Sequence, residues 1–168
     1  NNNLLLTLNI TGTLIISGAN GTFISSQSGG MENITLGNAS ISNGNNSFNC
    51  TQANALSTGH TVKMTVLGNF SVSGGTNFLS ASTQNDTILV NNDIIISGGS
   101  LSVKGADATA SIVNVLGGYS QTGGTFYMHN NVSDPLGASS SVIMTVNSND
   151  DASGDFTHTA GTFYFDNS

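Results

Sequence analysis

The sequence predicts an all-β protein, a parallel β-solenoid (β-helix) of about six coils with a 24–25-residue period. Three observations carry this expectation. A short pattern recurs six times: a turn-forming Gly or Asn, an apolar β-prone stretch, a small-residue corner, then an aromatic or Leu. Within each copy, apolar residues alternate with polar ones at period two, which marks strands with one buried face. No segment shows the 3.6-residue periodicity of a helix.

The copies follow in order. GTLIISGANGTF starts at Gly12 and GNASISNGNNSF at Gly37, the latter one residue short before its corner, with Ile34 and Leu36 in the apolar places. The third, GNFSVSGGTNF from Gly68, is preceded by the alternating Met64 and Val66; it continues with Phe70 and Val72 and turns at Gly74-Gly75. NDIIISGGSL from Asn92 follows Ile88 and Val90, and GGYSQTGGTF from Gly117 follows Val113 and Val115. GDFTHTAGTF starts at Gly154. Successive starts lie 25, 31, 24, 25 and 37 residues apart, so insertions are expected at residues 51–61 and 130–141, the second holding the only proline, Pro135. Residues 147–153 lengthen the corner of the last copy. Glycine serves the corners because the chain must turn sharply or adopt a positive φ there.

Stacking the copies about 4.8 Å apart places equivalent residues in columns. An aromatic ladder is expected from Phe23, Phe48, Phe78, Leu101, Phe126 and Phe163. A second apolar column takes Leu14, Ala39, Phe70, Ile94, Tyr119 and Phe156. A hydroxyl column takes Ser17, Ser42, Ser73, Ser97, Thr122 and Thr159, bonding corner backbone. The small Ala39 and the polar Gln121 and His158 are expected to pack less well than their neighbours.

Composition excludes several functions. Charged residues are 7% of the chain, with two lysines (Lys63 and Lys104), no arginine and nine acids, for a net charge of -7. Such a chain cannot neutralise a run of phosphates or seek an anionic membrane surface, so nucleic acid and membrane binding are not expected. The longest apolar runs, at Leu4–Leu6 and Ile94–Ile96, are far too short to span a bilayer. Disorder is excluded because the apolar residues are β-branched or aromatic and arrive in register. A single cysteine, Cys50, forms no internal disulfide. The chain opens on Asn without an initiator Met and is expected to be a processed chain or a piece of a longer one.

Candidate chemistry is sparse. His60, His129 and His158 fall at unrelated places in the repeat, where a triad or metal site needs convergence. Uronate lyase chemistry on a β-helix would need basic side chains that this chain lacks. No catalytic, cofactor or metal residue is assigned. The segment Asn147–Asp155 alternates oxygen side chains before Gly154, but it lacks the bidentate Glu of a calcium loop, and Asp155 occupies the corner place of Asn38, Asn69 and Asp93. Nine Asn-x-Ser/Thr sequons occur, at Asn9, Asn20, Asn33, Asn38, Asn45, Asn49, Asn69, Asn85 and Asn131, where about six would arise by chance. An ice-binding face would need a more regular Thr array than this. A side face carrying Tyr119, Tyr127 and Tyr164 is a candidate glycan surface, since aromatic platforms suit sugar rings; Tyr127 and Tyr164 stand one copy apart at equivalent places and are the candidate contacts.

The strings VLGNFSVSGGTNF, VLGGYSQTGGTF and GDFTHTAGTFYF resemble the GNFTxSGGTF repeats of long secreted surface proteins of Bacteroidota. That resemblance spans nearly the whole chain and implies an adhesin-like β-solenoid exported to the cell surface. Asp86-Thr87-Ile88 also resembles the short O-glycosylation motif of that group. The terminal sorting domain the resemblance implies has no counterpart in these 168 residues. The expectation is thus one solenoid domain over 1–168, not an enzyme, with a structural or adhesive role outside the cell. Its partners would be neighbouring repeats or further copies of itself, stacked end to end. A carbohydrate-binding module is the alternative.

Overall fold

The computed structural model describes residues 5–18, 31–48, 61–80, 85–104, 110–129, 141–147 and 155–165. Phe23, Cys50, His60 and Pro135 lie outside them, as do all but one residue (61, 141 and 147 respectively) of the expected insertions at 51–61 and 130–141 and the lengthened corner at 147–153. Every regular element among the described residues is a strand. The first copies supply β1 (Leu5–Ile16), β2 (Met31–Ile41) and β3 (Asn45–Ser47). Two triplets follow: β4 (Thr61–Val66), β5 (Phe70–Val72) and β6 (Thr76–Ser80), then β7 (Asn85–Val90), β8 (Ile94–Ile96) and β9 (Ser100–Lys104). The last two are β10 (Ala110–Val115), β11 (Tyr119–Gln121) and β12 (Thr125–His129), then β13 (Ser141–Val146), β14 (Phe156–His158) and β15 (Thr162–Tyr164).

All the strand pairs are parallel. One sheet runs β13-β10-β7-β4-β2-β5-β8-β11-β14 with β1 on β2, and a second runs β15-β12-β9-β6-β3. The first sheet is two stacks of strands that share β1 and β2. The long β2 passes its corner unbroken, so one edge of it meets β4 through Leu36↔Val66 and then β5 through Ala39↔Phe70, while the other edge meets β1. Later copies break at the same corner, near Gly68, Asn92 and Gly117, into separate strands.

The corners before the second sheet fix its register. Gly44, Gly75, Gly99, Gly124 and Gly161 adopt positive φ of 91°, 76°, 68°, 69° and 92°, a region in which a Cβ is strained. Counting from these glycines, the second and fourth residues face the core. The second-place row is Asn46, Asn77, Leu101, Phe126 and Phe163; the fourth-place row includes Phe48, Leu79 and Val103, all three fully buried.

The aromatic ladder therefore differs from the expected column. Leu101, Phe126 and Phe163 are consecutive partners. Phe48 stands instead in the fourth-place row. Phe78 is only half-buried and pairs with Ser47 and Ser102, one place beyond the position that Asn77 takes opposite Leu101. The third copy reads Gly-Gly-Thr-Asn-Phe where its neighbours read Gly-Gly-Ser-Leu and Gly-Gly-Thr-Phe; matching rings to rings ignores the extra residue, which the corner glycine counts.

The other columns stand in the register that the repeat implies. Leu14, Ala39, Phe70, Ile94, Tyr119 and Phe156 pair in succession. In the hydroxyl column, Ser42, Ser73, Ser97, Thr122 and Thr159 each donate a backbone N–H to the preceding copy at 2.8–2.9 Å. The Ser42, Ser73 and Thr159 hydroxyls lie 3.4–3.5 Å from the same carbonyls, too long to add much.

Side chains of both sheets join in one apolar core. It joins Ile34, Leu36, Met64, Val66, Ile88, Val90, Val113 and Val115 to Phe70, Ile94, Tyr119, Phe48, Leu101 and Phe126. Edge-to-face contacts bridge the sheets, with Phe48–Phe70 centroids 5.2 Å apart and Tyr119–Phe126 centroids 5.3 Å apart. Each such side chain, fully buried, contributes about 1.5–3 kcal/mol relative to exposure.

Candidate functional site

Three features outside the hydrophobic core bear on function: a polar corner ladder, an aromatic column on the second sheet, and an apolar surface at the last copy.

The corner ladder runs through side-chain oxygens. Asn38 Oδ1 accepts the Asn69 N–H at 2.9 Å, Asn69 Oδ1 the Asp93 N–H at 3.1 Å, and Asp93 Oδ1 the Gly118 N–H at 2.8 Å. Gly118 has no side chain with which to continue, and a cavity of about 230 Å³ opens there between Asp93, Ser120, Asp155 and Thr157. Asp155 takes the next corner place, immediately before Phe156, and its carbonyl accepts the Tyr119 N–H at 3.0 Å. Of the candidate calcium segment only Asn147, at φ 56°, and Asp155 are described. No group of three or more His, Cys, Asp or Glu that could hold a metal forms among the described residues. His129 is buried in β12, and His158 is exposed in β14.

Two buried carboxamides, to which the sequence analysis assigned no role, lie inside the second sheet. Asn46 Nδ2 donates to Asn77 Oδ1 at 2.9 Å, and Asn77 Nδ2 donates to the Gly74 and Ser100 carbonyls at 3.0 Å. Gln121, expected to pack poorly, is 0% exposed and fully engaged. Its Oε1 accepts the Tyr119 hydroxyl at 2.7 Å, while Nε2 donates to the carbonyls of Gly123, Gly124 and Thr162 at 3.1–3.3 Å. Burial pushes the Tyr119 phenol well above its usual value. These amides satisfy carbonyls that the glycine corners turn inward. The legible signal was position: Asn46 and Asn77 stand two residues after a left-handed glycine.

Of the three tyrosines of the expected glycan face, Tyr119 is buried in the apolar core and offers no ring to a sugar, while Tyr127 and Tyr164 meet. Tyr127 and Tyr164 are register partners whose rings stack at 5.0 Å and 5°. Phe78, Ser102, Tyr127 and Tyr164 form one column on the face of the second sheet away from the core row, with Ser102 fully buried, Phe78 and Tyr127 half-buried and Tyr164 exposed, beside Thr76, Ser100, Thr125 and Thr162. Face-to-face stacking turns ring edges to solvent and leaves one open face, on Tyr164, which is 41% exposed.

No family model, curated protein or solved structure matches the chain.

Among the described residues, the last copy carries the most exposed apolar surface. Phe156 is 53%, Phe165 79% and Ile143 54% exposed. Phe156 stacks on Tyr119 at 4.6 Å and 11°, and Phe163 tilts on Phe126 at 4.8 Å. Met128, Met144, Val146, Phe156, Phe163 and Phe165 line an apolar cavity of about 260 Å³.

Proposed function

We propose that this chain is a parallel β-solenoid of about six coils, acting outside the cell as a structural or adhesive rod on the cell surface. The three strand stacks are its three sides, and each copy is one coil, right-handed as parallel crossovers are. One observation carries the reading: the described strand pairs, side-chain ladders and ring stacks run from each copy to the next. Backbone ladders, the Asn38–Asn69–Asp93 corner, the Asn46–Asn77 pair and the stacked rings all act along one direction. Such a rod resists extension and proteolysis because no copy opens without breaking bonds to both neighbours. The low charge, the abundant hydroxyls and amides and the likeness to surface-protein repeats support the extracellular setting.

The carbohydrate-binding alternative draws on the Tyr127–Tyr164 column and its neighbouring Thr125 and Thr162. It has less support, since the rings spend their faces on each other rather than offering them to a sugar.

An antibody against the chain tests the setting. Labelling of intact producing cells is expected, with loss of the label after external protease. Labelling only after permeabilisation would refute a surface role.

A further inference from the structure

We infer that the surface at the last copy is covered by the first strand of a second copy of this chain, stacked head to tail so that the sheets continue from one molecule into the next. This rests on the solenoid reading and names the partner of its end surface.

Among the described residues, β13, β14 and β15 are hydrogen-bonded to a neighbouring strand on one edge only, and β1 pairs only with β2. Unpaired strand edges are templates for further pairing. Because every strand pair among the described residues is parallel, only head-to-tail stacking extends the sheets in kind; a two-fold contact between like ends would demand antiparallel pairs.

The junction required has a precedent inside the chain. Unbroken β2 already lies across the broken pair β4 and β5, with Ile34, Leu36, Ala39 and Ile41 over Met64, Val66, Phe70 and Val72. In β1 the same four places are held by Leu8, Ile10, Leu14 and Ile16. In β13 and β14 they are held by Met144, Val146, Phe156 and His158. Stacking β1 of one copy on β13 and β14 of another sets Leu14 over the open face of Phe156. Ile10 then comes down over Val146, at the mouth of the 260 Å³ cavity. The partly exposed Leu8 (40%) and the half-buried Ile10, Leu14 and Ile16 would be covered in the same contact.

Charge selects the same polarity. The first charged side chain in the sequence is Glu32, so β1 and its flanks are neutral. Asp155 adjoins β14, and Asp150, Asp151 and Asp166 lie close to it in sequence. Tail-to-tail contact would gather these carboxylates, whereas a neutral β1 meets them without repulsion.

Cysteine cross-linking decides the matter. In a Cys50→Ser background, Asn9→Cys and Thr145→Cys place thiols at exposed, outward positions that become direct neighbours across the proposed junction, as Thr35 and Thr65 are within the molecule. With a short bis-maleimide, the double variant should give a ladder of multimers that grows with concentration. Mixed single variants should give only dimers containing one of each. The Thr35→Cys/Thr65→Cys pair, read by intact mass, should link within one chain. Dimers from either single variant alone would overturn the polarity. Monomers throughout, with the internal pair linked, would overturn the stacking and leave the solenoid standing. Failure of the internal pair as well would bring down the solenoid reading itself.

Discussion

Gln121 and Tyr119 offer the sharpest test of how the core is held. In the two preceding copies the same inward places hold Ile94 with Ile96 and Phe70 with Val72, all apolar. Only here does a hydrogen-bonded polar pair replace them, with both residues 0% exposed. Gln121→Leu removes the acceptor 2.7 Å from the Tyr119 hydroxyl and the donor to three carbonyls. A stranded buried hydroxyl costs about 1–3 kcal/mol, and the leucine's added apolar burial offsets part of the rest, for a net loss of about 2–3 kcal/mol. Tyr119→Phe alone strands the Gln121 oxygen and costs about 1–2 kcal/mol. The double variant restores the apolar pairing of the neighbouring copies, so it should cost about 1–2 kcal/mol less than the sum of the singles. Urea unfolding measures all four proteins, the midpoints shifting at unchanged slope. Strict additivity would refute the claim that the two side chains act as one satisfied unit.

Four further variants probe the corners. Gly99→Ala should destabilise by about 3 kcal/mol or more, because φ is +68° and a Cβ would lie 2.6 Å from Gly74 Cα; Gly12→Ala, with nothing within 4 Å of the new carbon, should be neutral or gain about 0.5 kcal/mol. Thermal melts check the register role of the left-handed corner: the midpoint should fall for Gly99→Ala and stay or rise for Gly12→Ala. Asp93→Asn keeps the acceptor for the Gly118 N–H and should change stability by less than about 0.5 kcal/mol, whereas Asp93→Ala should lose about 1–2 kcal/mol. Equal losses for Asn and Ala at this site would mean that the carboxylate's charge, not its geometry, holds the corner.

Much of the architecture was legible because the repeat signals are local. Apolar alternation ahead of a glycine break put Met64, Val66, Phe70 and Val72 on the buried side. The column from Leu14 to Phe156 follows, since those residues stand at a constant distance after a corner. The equivalence of Asp155 with Asn38, Asn69 and Asp93 was legible in the same way. The aromatic ladder was not. Phe78 matches Phe126 by residue type, but the chain counts its register from Gly75, and a one-residue shift moves a side chain to the opposite face of the sheet. Gln121 misled for the converse reason: a lone polar residue in an apolar column looks like a packing fault until its partner, the Tyr119 hydroxyl, is known.

The sequence by itself therefore determined the secondary-structure class, the parallel stacking of like residues and the absence of a basic surface. These follow from period, composition and the conformational demands of glycine, which act within a few residues. Only the tertiary structure decided which side chains face inward in the second sheet, that Asn46, Asn77 and Gln121 are buried as hydrogen-bonding elements, and that Tyr127 and Tyr164 cover each other's faces. Those outcomes depend on register between copies 23–41 residues apart. Register is settled by backbone ladders and left-handed corners acting together, which no single copy contains.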